Sequence, residues 1–188
     1  MDLEIINTII AGTALLMSGF MIIRDYFLPA KVKLFFGDSF QIVCVERNKI
    51  QINLNLTNSR NKLSVINRLE AVLSSPNGNK YNYVWNIFYK LEGGRSVLER
   101  IPTSIAVLAK SSVFQGIEFI ADESFTWVEG KYEFKIIGWE NRGASQKNNL
   151  SSVKIIFSLN KDDISCLSDY HVIESGGVIP MRKVRIIN

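Results

Sequence analysis

The sequence predicts an all-β domain, a β-sandwich, placed behind one N-terminal transmembrane helix. Three observations lead there. Ile5–Ile23 is a single apolar run without a charge. From Lys31 onward, apolar and polar residues alternate with period two, the repeat of a half-buried strand. The alternating stretches are separated at short intervals by Gly, Pro, Asn and Ser, the residues of turns. A 188-residue chain that is 47% hydrophobic and 21% charged fits one ordinary domain with an appendage, and its charge content excludes wholesale disorder. The mean hydropathy of +0.10 owes its sign to the one apolar run, and a polytopic membrane protein is excluded because that run is alone.

The run reads IINTIIAGTALLMSGFMII, 19 residues, and as a helix it extends about 28 Å, close to the hydrocarbon thickness of a bilayer. Arg24, Asp25, Tyr26 and Phe27 follow as an interfacial collar, and Pro29 stops the helix. A cleaved signal peptide begins with basic residues and ends at small ones. Here Asp2 and Glu4 precede the run and Phe20-Met21-Ile22-Ile23 close it, so it reads as an uncleaved anchor. No Lys or Arg stands before the span, whereas Arg24, Lys31 and Lys33 follow it; the positive-inside rule then puts the C-terminal side in the cytoplasm. Thr8, Gly12, Leu15 and Gly19 share one helix face at three- and four-residue spacing. That face reads either as a surface for close helix approach or as ordinary transmembrane composition.

The soluble part follows in order. Phe40–Val45 alternates, and Lys49–Thr57 is the cleanest strand, with Ile50, Ile52, Leu54 and Leu56 set against Gln51, Asn53, Asn55 and Thr57. Further strands are expected at Leu63–Ser74, Tyr81–Tyr89, Ser104–Val107, Val113–Ala121, Lys131–Trp139 and Leu150–Leu159. Ser75-Pro76-Asn77-Gly78-Asn79 is a hairpin signal, because Asn-Gly tolerates the positive φ such turns need. About eight short strands with regular turns suggest a β-sandwich, with a small barrel as the alternative. Residues 1–30 form the anchor, 31–160 the sandwich, and 161–188 a C-terminal extension with a turn of helix at Ser168–Glu174 and a last strand at Val178–Ile187.

Trp127-Val128-Glu129-Gly130-Lys131-Tyr132-Glu133-Phe134 resembles the Gly-x-Tyr entry into the penultimate strand of immunoglobulin-like domains. The stretch Ile52–Asn58, followed by a strand ending in Ser-Pro-Asn-Gly, resembles the early strands of bacterial immunoglobulin-like modules. The whole layout resembles bacterial single-pass membrane proteins that carry such a domain behind a short anchor. The resemblance implies an immunoglobulin-like β-sandwich and a structural tyrosine corner at Gly130 and Tyr132. It lacks the usual Cys pair: Phe134 stands at the second position and Leu54 near the first. It implies no catalytic residue.

The candidate sites are few. Cys44 and Cys166 are the only cysteines and make no disulfide framework; a cytoplasmic location predicts both reduced, and an exported location leaves a bridge open. Cys166 and His171, with Asp162, Asp163 and Asp169 nearby, invite a nucleophile or metal reading, but neither a base–orienter arrangement nor a ligand spacing is specified. Tyr81, Tyr83, Trp85, Ile87 and Tyr89 fall on one strand face, either core or an exposed stacking platform, and the polarity of the opposite face favours core. Gly93-Gly94-Arg95-Ser96 lacks the pattern of a phosphate loop. Residues 31–188 carry 21 Lys plus Arg against 15 Asp plus Glu, but dispersed, so no nucleic-acid partner is expected. Two small basic clusters are candidates for contact with membrane lipid: Lys31 with Lys33, and Arg182, Lys183 and Arg185 in the tail.

The expected function is that of a non-enzymatic binding or scaffold module, held in the inner (cytoplasmic) membrane with its domain in the cytoplasm. Its partners would be membrane lipid and another protein, such as a membrane protein or a second copy, with no cofactor, metal or small-molecule substrate. One alternative is an exported, membrane-tethered sandwich binding glycan or protein in the envelope; the other is an enzyme using Cys166 or His171.

Overall fold

The apolar run folds as one helix, α1 (Leu3–Ile22), continued by a π-helical turn at Ile23–Phe27. This computed structural model describes residues 3–27, 30–45, 47–92, 95–141, 147–169, 179–180 and 184–186. No residue of α1 is buried. Thr8 Oγ1 donates to the Glu4 carbonyl and Thr13 Oγ1 to the Ile9 carbonyl, both at 2.8 Å, so two of its polar side chains are satisfied within the helix. Leu3–Phe27 is long and apolar enough to cross a membrane by length and composition, a test that a signal sequence also passes.

The rest is mostly β. The strands are β1 (Val32–Val45), β2 (Arg47–Asn58), β3 (Ser64–Ser74), β4 (Lys80–Glu92), β5 (Arg95–Arg100), β6 (Ile105–Val107), β7 (Ser112–Ala121), β8 (Gly130–Asn141), β9 (Lys147–Leu159), β10 (Ile179–Pro180) and β11 (Val184–Ile186). All pairings are antiparallel, in the order β10-β1-β2-β7-β4-β3-β8-β9-β11, with β5 added to β4 and β6 to β3. The sheet nearly closes on itself: β1 comes back beside β9, and the Leu34 amide donates to Ser151 Oγ at 3.0 Å. The edge groups of β1 and β9 are thereby partly covered, which limits their pairing with other chains.

Period-two alternation decides which side chains face inward. Ile50, Ile52, Leu54 and Leu56 of β2 all point to the core, as do Ile117 and Phe119 of β7 and Phe134 and Ile136 of β8. Phe134 is the centre of an aromatic cluster, edge-on to Phe40, Tyr83 and Phe119 at centroid distances of 6.4, 5.4 and 5.8 Å. Leu54 is also core, so apolar packing occupies both positions compared above with the cysteines of immunoglobulin-like domains.

In β4 the simple alternation fails at Asn86. Trp85 pairs with Phe119 and Ile87 with Glu118, so Asn86 is an extra residue, a β-bulge. Tyr83 is core and Tyr81 and Trp85 pack against it, as the aromatic face requires. Beyond the bulge the faces exchange: Phe88 joins the core, and Ile87 and Tyr89 leave its face. The same strand pairs with β3 through Lys80–Val84 and with β7 through Tyr83–Tyr89, thus passing from one neighbour to the other.

One other element departs from the sequence reading. β5 is a strand that Arg95–Arg100 did not announce, because its two apolar residues, Val97 and Leu98, are adjacent and do not alternate with polar ones. The C-terminal extension begins with a helix, α2 (Lys161–Asp169), and the turn of helix expected at Ser168–Glu174 lies, beyond Asp169, outside the described residues. The start of α2 is a reciprocal cap: Asn160 Oδ1 accepts the Asp163 amide and Asp163 Oδ2 accepts the Asn160 amide, both at 2.9 Å. Within the expected last strand, Val178–Ile187, the described residues are β10, paired with β1, and β11, paired with β9.

Candidate functional site

The feature most suited to function is the end of the β-domain where the helix enters it. Two loops meet there, Ser59–Leu63 between β2 and β3 and Leu108–Ser111 between β6 and β7. They are far apart in sequence and are joined by one side chain. Asn58, only 1% exposed, donates through Nδ2 to the carbonyls of Lys62, Val107 and Leu108 at 2.7, 3.2 and 3.1 Å, while its Oδ1 accepts the Arg60 amide at 3.1 Å. The Lys110 amide donates to the Arg60 carbonyl at 2.9 Å and the Asn58 amide to the Ser111 carbonyl at 2.9 Å. Lys110 sits at φ 50, a left-handed conformation uncommon for a residue with a Cβ.

This loop pair holds the helix end. Arg60 Nη1 donates to the Arg24 carbonyl at 3.3 Å, and Lys110 Nζ lies 3.2 Å from Asp25 Oδ2. Arg24 Nε also reaches Asp25, at 3.1 Å from Oδ1. The Ser59 amide donates to the Lys31 carbonyl at 3.2 Å. The next pair outward from Ser64–Val107 in the β3–β6 register is Leu63 and Leu108, which are 55% and 64% exposed.

The opposite end carries the tyrosine corner. Tyr132 Oη donates to the Val128 carbonyl at 2.9 Å and accepts the Val128 amide at 2.8 Å, closing the loop before β8. Burial raises the Tyr132 hydroxyl's pKa, and the bond to Val128 opposes that. Gly130, at φ +136, lies against Pro76 of the β3–β4 turn, where a Cβ would stand 2.7 Å from the proline ring. Trp127 packs on Tyr132 at 5.1 Å and donates through Nε1 to Asn48 Oδ1 at 2.9 Å. Trp139 lies on β8 opposite Arg68 and donates to Glu70 Oε2 at 2.9 Å.

On the outer face of β2, β7 and β4 lies a buried carboxylate. Glu118 Oε2 accepts Gln51 Nε2 at 2.8 Å and Oε1 accepts Asn86 Nδ2 at 2.7 Å, with Lys49 Nζ at 3.6 Å. The oxygens are thus used within the protein, and the cluster reads as a pin across the bulge.

The residues singled out in the sequence fall as follows. Thr8, Gly12, Leu15 and Gly19 lie on the bare helix, and a Cβ at either glycine would touch nothing. Arg24, Lys31 and Lys33 are exposed at the helix-bearing end. Arg182, Lys183 and His171 lie outside the described residues. Arg185 pairs with Ile156 of β9, five residues and roughly 17 Å along the strand from Ser151, so it is set toward the Tyr132 end rather than beside Lys31 and Lys33. Cys44 is buried and Cys166 exposed, and both are free. Burial pushes the Cys44 thiol up to about 11, opposed by a hydrogen bond from Trp127. Among the described residues, no three of His, Cys, Asp or Glu stand close enough to hold a metal ion.

No protein-family model matches the chain, and no curated protein sequence does. The solved structures to which parts of the chain are similar include two. The sporulation control protein Spo0M from Bacillus subtilis is 10% identical with a TM-score of 0.32, over 66% of this chain and 46% of that one. A β-glucosidase from Kluyveromyces marxianus is 14% identical with a TM-score of 0.33, over 71% of this chain and 14% of that one. The chain thus spans less than half the length of either.

Arg60, Lys62, Leu63, Leu108 and Lys110 carried no sequence signal. Each is an ordinary loop residue, and only the pairing of β3 with β6 and the bonds of Asn58 bring them together.

Proposed function

We propose that the chain is a single-pass, membrane-anchored binding module that acts without catalysis. Its β-domain faces the cytoplasm at the inner membrane and engages another protein. The observation that carries this reading is the helix: it is apolar on all sides and wholly uncovered, yet it is tied at its C-terminal end to the domain by Arg60 and Lys110. A core helix would be covered by its own protein. An acidic N-terminus and a bulky end to the run support an anchor over a cleaved leader, and Arg24, Lys31 and Lys33 support the cytoplasmic orientation.

The domain is proposed to be an immunoglobulin-like sandwich, β1, β2 and β7 facing β3, β8 and β9, with β4 crossing between the layers. The transfer of β4 from β3 to β7 at Tyr83 and Val84 supports this, as does the tyrosine corner. For the partner, β5 is the favoured edge. Among the described residues it pairs with β4 alone, and Val97 and Leu98 are exposed on it. Such an edge can take a strand from another chain.

Carbonate extraction of membranes holding the full chain, combined with a photo-crosslinking residue at Leu98, tests the reading. The expected result is a carbonate-resistant protein that forms one discrete adduct, lost in a Val97→Lys variant that remains folded. A chain released by carbonate, or no protein adduct from Leu98, would contradict it.

A further inference from the structure

We infer that the rim formed by the Ser59–Leu63 and Leu108–Ser111 loops is a second membrane contact, which seats the β-domain on anionic lipid headgroups around the helix exit. The inference rests on the reading of α1 as a bilayer anchor and adds to it a surface that fixes how the domain stands on the membrane.

Height comes first. Twenty residues at 1.5 Å each make α1 about 30 Å long, the thickness of the hydrocarbon core. A span over Leu3–Ile22 therefore leaves Arg24 and Asp25 in the headgroup layer. Arg60 and Lys110 are bonded to these two residues at 3.3 and 3.2 Å, so the rim lies at the same level. Tyr26 and Phe27, both exposed, mark that level with the aromatic side chains common at membrane interfaces.

Chemistry comes second. The two loops carry Arg60, Lys62 and Lys110 and no acidic residue, and Lys31 is joined to them through Ser59. Among the described residues, the one carboxylate bonded to the rim is Asp25, which Lys110 shares with Arg24. Among these cations, Leu63 and Leu108 directly follow the last β3–β6 pair, Ser64–Val107, and both are exposed. A lone surface leucine needs no explanation. A pair of them at headgroup height, ringed by cations, has the composition of an interfacial contact: apolar tips enter the acyl boundary and basic residues meet lipid phosphate.

Rigidity comes third. Asn58 fixes both loops from beneath with bonds to Lys62, Val107, Leu108 and Arg60. Lys110 is held in its left-handed conformation by the Arg60 carbonyl on one side and Asp25 on the other. The rim is thus shaped before it meets lipid, and little ordering is needed on contact.

The test uses the full chain in lipid vesicles, with Cys166 replaced by Ser and a nitroxide spin label placed singly at Leu108→Cys, at Asn77→Cys in the far turn, or at Leu15→Cys in the helix. Collision with oxygen reports lipid, and collision with a water-soluble nickel complex reports solvent. In vesicles holding about one-third phosphatidylglycerol, the Leu108 label is expected to be shielded from nickel several-fold relative to Asn77. In pure phosphatidylcholine the shielding weakens, by about fivefold in occupancy for each basic residue that loses its anionic contact. Raising the salt to 1 M, or adding Lys62→Glu, is expected to weaken it likewise; the salt series needs no variant to fold.

A Leu15 label in lipid with a Leu108 label as open to nickel as Asn77 would overturn the rim contact and leave the anchor standing. A Leu15 label open to nickel would overturn both. Shielding of Leu108 that persists unchanged in neutral lipid and in detergent would overturn the lipid assignment in favour of a second copy of the chain.

Discussion

Lys110 Nζ lies 3.2 Å from Asp25 Oδ2, an ion pair that joins a loop of the β-domain to the end of the N-terminal apolar helix across 85 residues of sequence. With the Arg60–Arg24 bond beside it, this contact ties the domain to the helix at a second place besides the chain itself. The lysine side chain is 57% exposed and the aspartate 17%, so the pair orients more than it stabilises.

Asn58→Ala should loosen both loops at once. It removes three carbonyl partners and the acceptor of the Arg60 amide at a site that water does not reach. A loss of about 2–3 kcal/mol is expected, given the cost of leaving buried polar groups unpaired. Denaturant unfolding of the full chain in detergent measures it.

Tyr132→Phe should cost about 1–3 kcal/mol, because the Val128 amide and carbonyl both lose their partner while the ring packing on Phe157 and Trp127 is kept. A thermal melt shifted by less than a degree would show that the corner is not held by this hydroxyl.

Gly116→Ala tests the packing of the outer face. A Cβ there would collide with the Tyr89 carbonyl oxygen, which belongs to the neighbouring strand and cannot swing aside as a side chain would. The expected loss is about 2 kcal/mol or more, or roughly 4–8 °C in Tm.

Much of this was legible in the sequence and some was not, for physical reasons. Period-two alternation located β2, β7 and β8 because each buries one face against a single core. It misassigned the second half of β4, since a bulge inserts a residue without changing composition. The Asn160–Asp163 cap was present as an Asn-x-x-Asp spacing and marks the start of α2, but α2 is short and follows a strand directly. The rim was not legible at all: Leu63 and Leu108 become neighbours only through the β3–β6 pairing.

Alkaline pH should weaken the fold in a defined direction. Burial raises the Cys44 pKa from 9.0 to about 11 and raises that of Tyr83 well above 10.0. Below about pH 8 both groups are essentially protonated whether the chain is folded or not, and neither contributes a slope. Above it the unfolded chain releases protons that the folded chain retains, so stability falls as pH rises from about 8 through 11. Urea midpoints measured across that range should decline, and less steeply in a Cys44→Ala variant. Thiol reagent at pH 8 should find one reactive group, Cys166, in the folded chain and two after denaturation.

The most direct measurement of the central claim is the side of the membrane on which the β-domain stands. A reporter active only in the cytoplasm, fused after Asn188 of the full chain, is expected to be active and to remain with the membrane fraction. An inactive reporter, matched by activity of a second reporter that works only outside, would contradict the cytoplasmic module and place the domain in the envelope.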